Sequence, residues 1–351
     1  MTAMLVGPAP YIYVCTRMRV RKSKLIPRDE YLRMLNMGLP EITRFIEETE
    51  YKTEIDELGT SFKGMDLIEI GLSWNLAKEY QRILDITPGF LKEFTTAYLR
   101  RWDIQNVLTI IRGKMQGMSQ GKIKEVLIPA GELDRVFLDR LLTEDTPERI
   151  AEALKGQKIY PILARDLPSA LADGSLARLE NELYKQFYSD LLVDARSGVK
   201  GGPQFEEFIK LDIDITNIKS LFRLRGDNLQ EEAGDMMIPG ATFSVDELQR
   251  LNSMENQNEF IDSIKNKIKL RPLLEIIDEF REKQSVRQIE VALIRVQLRQ
   301  MERMAKIYPF SIHPILSYLE MKKYEVFNLR ALARGKESNL ESESIKGYLV
   351  M

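Results

Sequence analysis

One ten-residue block recurs three times along this chain, at an offset of 111 residues both times. It reads Asp103-Ile-Gln-Asn106-Val-Leu-Thr-Ile-Ile-Arg112, then Asp214-Ile-Thr-Asn217-Ile-Lys-Ser-Leu-Phe-Arg223, then Glu325-Val-Phe-Asn328-Leu-Arg-Ala-Leu-Ala-Arg334. Each copy is an acid, an Asn three residues on and an Arg six residues after that. Apolar positions keep the same register: Ile104, Ile215 and Val326, then Val107, Ile218 and Leu329, then Ile110, Leu221 and Leu332. Downstream, Met118, Leu229 and Leu340 correspond, and an apolar helix end is expected at Val126–Ile128, Met237–Ile238 and Leu349–Val350. A fixed period of this length marks tandem structural units. The chain divides into units 1–129, 130–239 and 240–351, cut near Pro129 and Pro239.

The apolar spacing within the units is helical. Runs such as Glu148–Leu154, Leu176–Leu192 and Val286–Met304 place apolar residues at i, i+3, i+4 and i+7. Alternation is confined to short stretches such as Leu211–Ile215, and the expected class is all-α. On a helix the signature acid and Asn share a side, whereas the Arg nine residues past the acid falls on the opposite one. Asp103, Asn106 and Arg112, Asp214, Asn217 and Arg223, and Glu325, Asn328 and Arg334 therefore cannot form one cluster per helix. They read as pins tying each helix to different neighbours, with Asn donating and accepting and Arg forking onto carbonyls or carboxylates.

Composition narrows the function classes. The chain has 351 residues with one Cys, one His and a net charge of −2. A Cys-rich zinc site or an intrachain disulfide cannot be built from Cys15 alone. His313 leaves no His-based metal cluster or nucleophilic triad with parts to spare. Balanced charge argues against a surface devoted to nucleic acid. No stretch reads as a membrane span, and Met1–Thr16 lacks the form of a signal peptide. The glycines from Gly113 to Gly121 miss the phosphate-loop spacing and lack the Ser or Thr after Lys122. Gly198–Pro203 reads as a tight connector. No catalytic, cofactor or metal residues emerge. Arg17, Arg19, Arg21, Lys22 and Lys24 form the densest basic run and the candidate interaction patch, weighed against the solvated face of a helix whose other side carries Val14, Met18 and Leu25.

Three stretches carry a family resemblance. They are the opening Tyr11-Ile-Tyr-Val-Cys-Thr-Arg through Tyr31-Leu, Arg101-Trp-Asp103-Ile-Gln-Asn106, and Tyr324-Glu325-Val-Phe-Asn328-Leu-Arg-Ala-Leu-Ala-Arg334-Gly335-Lys336-Glu337. The chain resembles the C subunits of the A/V-type ATP synthases, the family that includes the d subunits of eukaryotic vacuolar proton pumps. It departs mildly at Cys15, Thr16 and Phe327. The resemblance implies three similar helical units around a pseudo-threefold axis, shaped as a funnel. It implies a peripheral protein on the cytoplasmic face of the cell membrane, without catalytic residues or cofactor. The implied partners are the proteolipid rotor ring and the central-stalk axle subunits, with the catalytic A and B subunits reached indirectly. The residues alone leave a competing reading, a helical-repeat scaffold for a soluble partner.

Overall fold

A computed structural model describes residues 9–227, 233–282 and 285–351, and every described element is helical. Leu229, the middle member of the downstream register, lies outside the described residues. Seven helices frame the functional surfaces: α1 (Ala9–Lys22), α2 (Gly64–Ile86), α3 (Arg101–Met115), α4 (Ala177–Arg196), α5 (Gly202–Gly226), α6 (Val286–Ile307) and α7 (His313–Glu337). Shorter helices fill the connections. The expected cut positions, Pro129 and Pro239, lie in loops.

Local chemistry explains where these helices begin and end. Ser285 caps α6 by accepting the Gln288 N–H, and Gln288 reaches back to the Ser285 N–H, which satisfies two end donors reciprocally. Pro203 and Pro314 stand in the first turns of α5 and α7, where a missing N–H costs nothing. Gly201, just before α5, holds φ at 86° and makes the tight α4–α5 connector. At the far ends, α3 and α7 stop alike. Gly117 at φ 66° and Asn339 at φ 54° occupy the left-handed region, and the N–H groups of Met118 and Leu340 donate back to the Gly113 and Gly335 carbonyls at 2.9 and 2.8 Å.

The packing is sequential. α3 lies against α4, α4 against α5, α5 against α6, α6 against α7, and α7 against both α1 and α2. Each signature helix thus packs on a long helix that follows it, and the last one packs on the chain's beginning. The apolar signature positions Ile104, Ile215, Val326, Val107, Ile218, Leu329, Ile110, Leu221 and Leu332 are all at most 1% exposed. Each such side chain contributes about 1.5–3 kcal/mol on burial.

The apolar segments expected as helix ends are different in kind. The helix Gln120–Val126 stops before Leu127, whose backbone is extended, and residues 237–238 and 349–350 are likewise outside helices. The reason lies in the signature asparagines, which take up the backbone groups that a helix would use internally.

Candidate functional site

Each signature Asn makes the same pair of bonds to a residue in one of those extended segments. Asn106 Nδ2 donates to the Ile128 carbonyl at 2.7 Å while the Ile128 N–H donates to Asn106 Oδ1 at 2.9 Å. Asn217 pairs with Ile238 at 2.8 and 2.9 Å, and Asn328 with Val350 at 2.7 and 2.8 Å. All three amides are buried, so each satisfies one donor and one acceptor that water cannot reach.

The signature acids point onward along the chain. Asp103 accepts the N–H groups of Glu132 and Leu133 at 2.9 and 3.0 Å. Asp214 accepts the Thr242 N–H at 3.0 Å and its hydroxyl at 2.6 Å. Glu325 instead takes the N–H of Ile26 at 2.6 Å, together with Tyr51 and Lys322, each at 2.7 Å. Burial pushes Asp103 up to about 7 despite its two N–H donors, and Asp214 shifts upward for the same reason.

The arginines follow the same order. Arg112 pairs with Glu180 on α4, Arg223 with Glu290 on α6, and Arg334 with Glu69 on α2. The sequence reading did not single out Glu69, Glu180 and Glu290, although they recur at nearly the signature's own offset.

A second set of residues was also missed. Arg101, Asp212 and Lys323 occupy one register position in α3, α5 and α7, and they meet in the interior. Arg101 donates to Asp212 Oδ2 at 2.9 Å and to Glu320 Oε1 at 3.0 Å. Lys323 pairs with the other Glu320 oxygen. Tyr188 and Gln297 donate to Asp212 at 2.9 and 2.6 Å, and Tyr98 donates to Glu320 at 2.8 Å. Two cations therefore meet two carboxylates whose oxygens are otherwise satisfied. Burial works against the Asp212 charge, but Arg101 and Lys323 outweigh it and hold the carboxyl below its usual range. Lys219, close by, is lowered by burial.

Beside this cluster opens a cavity of about 560 Å³ between α3, α6 and α7. Trp102 and Gln105 line one wall, and their register equivalents Tyr324 and Phe327 line the other. Arg287, Lys323, Arg330 and Arg334 supply charge, and no carboxylate is among the described lining residues. Arg330 donates to Ser73 at 2.5 Å, and burial lowers its pKa. A surface with cationic and aromatic walls suits an occupant that presents carboxylates and apolar side chains together.

The basic run of α1 divides. Arg21 pairs with Glu79, Lys22 with Glu302 at 2.6 Å and Lys24 with Glu50 at 2.8 Å. Arg19 donates to the Pro309 carbonyl at 3.3 Å, whereas Arg17 is exposed with no bond to any described residue. Val14 and Met18 are buried behind the run, but α1 ends at Lys22, so Leu25 is outside the helix. Cys15 is buried with its Sγ 3.6 Å from the Ser311 carbonyl, and burial raises the thiol to about 11, an inert filler. His313 is fully buried at the start of α7, its Nε2 3.7 Å from Glu207, and burial lowers it to about 4. No described helix is long and apolar enough to cross a membrane.

Comparison with known proteins places this arrangement. Residues 14–348 match the family described as ATP synthase (C/AC39) subunit. A protein of Methanosarcina acetivorans, named as the C subunit of an A-type ATP synthase, is 40% identical over 349 residues, covering 98% of this chain and 94% of the relative. The proteins of the same name from Methanococcoides burtonii and Archaeoglobus fulgidus are 36% and 34% identical, covering 97% and 98% of this chain and 94% and 97% of their own lengths. With a match from one end to the other, the chain belongs to the family of A/V-type ATP synthase C subunits.

Proposed function

We propose that this chain is a non-catalytic central-stalk subunit of an A-type rotary ATP synthase, joining the membrane proteolipid ring to the central axle and carrying torque between them. One observation supports it above the others. The contacts of α7 with Ile26 and Glu69 at the chain's beginning repeat those of α3 with residues 132–133 and Glu180, and those of α5 with Thr242 and Glu290. Such an order fits units 1–129, 130–239 and 240–351 closing around a pseudo-threefold axis as a funnel, where an open solenoid would leave its last unit uncovered. The cavity between α3 and α7 is the seat we assign to the axle end. The protein then sits peripherally on the cytoplasmic face of the membrane, and the catalytic A and B subunits are reached through the axle.

Affinity capture of the tagged protein from detergent-solubilised native membranes tests this reading. Recovery of a small proteolipid with stalk and A/B subunits is the expected result. Soluble partners alone, with proteolipid present in the extract but absent from the eluate, would replace it with the scaffold reading. Phe327→Asp, in the cavity wall, is expected to lose axle subunits while retaining the proteolipid.

A further inference from the structure

The cavity lies along the C-terminal half of α7. The opposite end of that helix, about 15 Å from the nearest cavity residue Lys323 at 1.5 Å per residue, has a different surface chemistry. Ile307 projects from the end of α6, Tyr308 and Phe310 from the turn between α6 and α7, and Ile12, Tyr13 and Val20 from α1; Phe310 is 51% exposed and Tyr13 55%. The two groups belong to one corner. Arg19 donates to the Pro309 carbonyl at 3.3 Å, and its guanidinium lies 5.6 Å from the Phe310 ring centre. Lys22 of α1 and Lys306 of α6 share Glu302, at 2.6 and 3.2 Å.

Cations outnumber carboxylates at this corner, although the exposed Glu207 lies 3.7 Å from His313, whose ring stacks on Tyr308. α1 contains no carboxylate, and Glu302 is the one carboxylate between residues 295 and 312. Glu302 is already shared by two lysines. Arg17, Arg299 and Arg303 are exposed and make no bond to any described residue. Positions 13, 17 and 20 fall on one side of α1, and 299, 303 and 306 on one side of α6. Unpaired guanidinium groups thus stand among separate aromatic and aliphatic tips. A folded acidic partner would use the cations, and would use the tips only where its own apolar side chains are placed to match each of them. A layer of anionic headgroups uses both, since phosphates accept from guanidinium and aromatic rings rest at headgroup depth.

We propose that this corner docks directly on an anionic lipid surface, with headgroup phosphates at Arg17, Arg299 and Arg303, and with Tyr13, Tyr308 and Phe310 at the headgroup level. The inference goes beyond the coupling role and stands on this surface alone, so its test needs neither ring nor axle.

The purified full-length protein is sedimented with vesicles of phosphatidylcholine, and with vesicles of phosphatidylcholine and phosphatidylglycerol. Binding to the second and not the first is expected, weakening as salt is added. Arg17→Gln and Arg303→Gln should each lower the partition about fivefold. Phe310→Ser should lower it too, and Lys155→Gln, an exposed cation elsewhere, should leave it unchanged. All four sites are exposed, and matching thermal melts establish that the variants fold. Absence of binding to both vesicles, equal binding to both, or an equal loss with Lys155→Gln overturns the proposal. If the unsubstituted protein binds no vesicles while the corner variants lose proteolipid in the membrane capture, the occupant is a protein, and the coupling role stands without the lipid contact. Selective vesicle binding with no proteolipid captured would leave the lipid contact standing and remove the coupling role.

Discussion

Glu325 accepts the Ile26 N–H at 2.6 Å, across 299 residues of chain. Asp103 and Asp214 reach only about thirty residues ahead for the equivalent bonds, at 29 and 28 residues. The same chemical device is local twice and long-range once. The long-range bond is the one that ties the last signature helix to the start of the chain.

The asparagines test whether the signature is architectural. Asn217→Ala leaves the Ile238 N–H and carbonyl buried without partners. A loss of ~1–3 kcal/mol in urea-denaturation stability is expected. An unchanged midpoint combined with lost ring binding would give the residue a direct functional role instead.

The buried charges should cost far more to disturb than the exposed ones. Arg101→Met leaves Asp212 and Glu320 without their shared cation and is expected to cost ~3–5 kcal/mol. Adding Asp212→Leu should recover part of that loss, and a double-mutant cycle reads the coupling. Arg334→Ala breaks a pair whose arginine is 63% exposed, and less than ~1 kcal/mol should follow. Equal costs for Arg101→Met and Arg334→Ala would contradict the burial argument.

Much of this was legible in the sequence, and the parts that were not share a cause. The signature was found because its three copies are alike. Arg101, Asp212 and Lys323 keep the same register but alternate in sign, since three like charges brought together in the interior would repel. A search for similar residues passes over them for the very property that lets them meet. Size is exchanged in the same way: Gly113 and Gly335 recur with Ile123 and Ile345, whereas the middle positions are Leu224 and Gly234. Leu127–Ile128, Met237–Ile238 and Leu349–Val350 read as helical yet lie outside helices, because apolar content reports burial and not which backbone bonds a distant Asn will claim.

That exchange can be measured. A Cβ at Gly335 would lie 2.6 Å from Ile345 Cγ1, and one at Gly113 would lie 2.5 Å from Ile123 Cγ1. Gly335→Ala is expected to destabilise by ~1–3 kcal/mol through overpacking. Ile345→Ala in the same chain should relieve the crowding, so that the double variant loses less than the two single losses added together. Strict additivity in thermal melting would show that the two positions do not share space.

Two buried groups pull stability in opposite directions with pH. Asp103, raised to about 7, favours its protonated form in the folded chain. Its contribution is present at low pH and is lost as pH rises from about 4 through 7. His313, lowered to about 4, favours its neutral form. Its contribution is present above about 6.5 and is lost as pH falls towards 4. The two contributions to the slope therefore oppose each other over this window. Asp103→Asn should make stability rise more steeply with pH, and His313→Leu should make it fall. Denaturant titrations at several pH values check both signs, and parallel slopes in all three proteins would contradict them.

α7 runs unbroken from the aromatic corner to the wall of the cavity. A displacement applied at either end of the helix itself reaches the other through hydrogen-bonded backbone. The compliance between those two surfaces is then that of a helix in bending, clamped along its length by α1, α2 and α6. Such a member stores little elastic energy for a given load, which is what the coupling role proposed above asks of it.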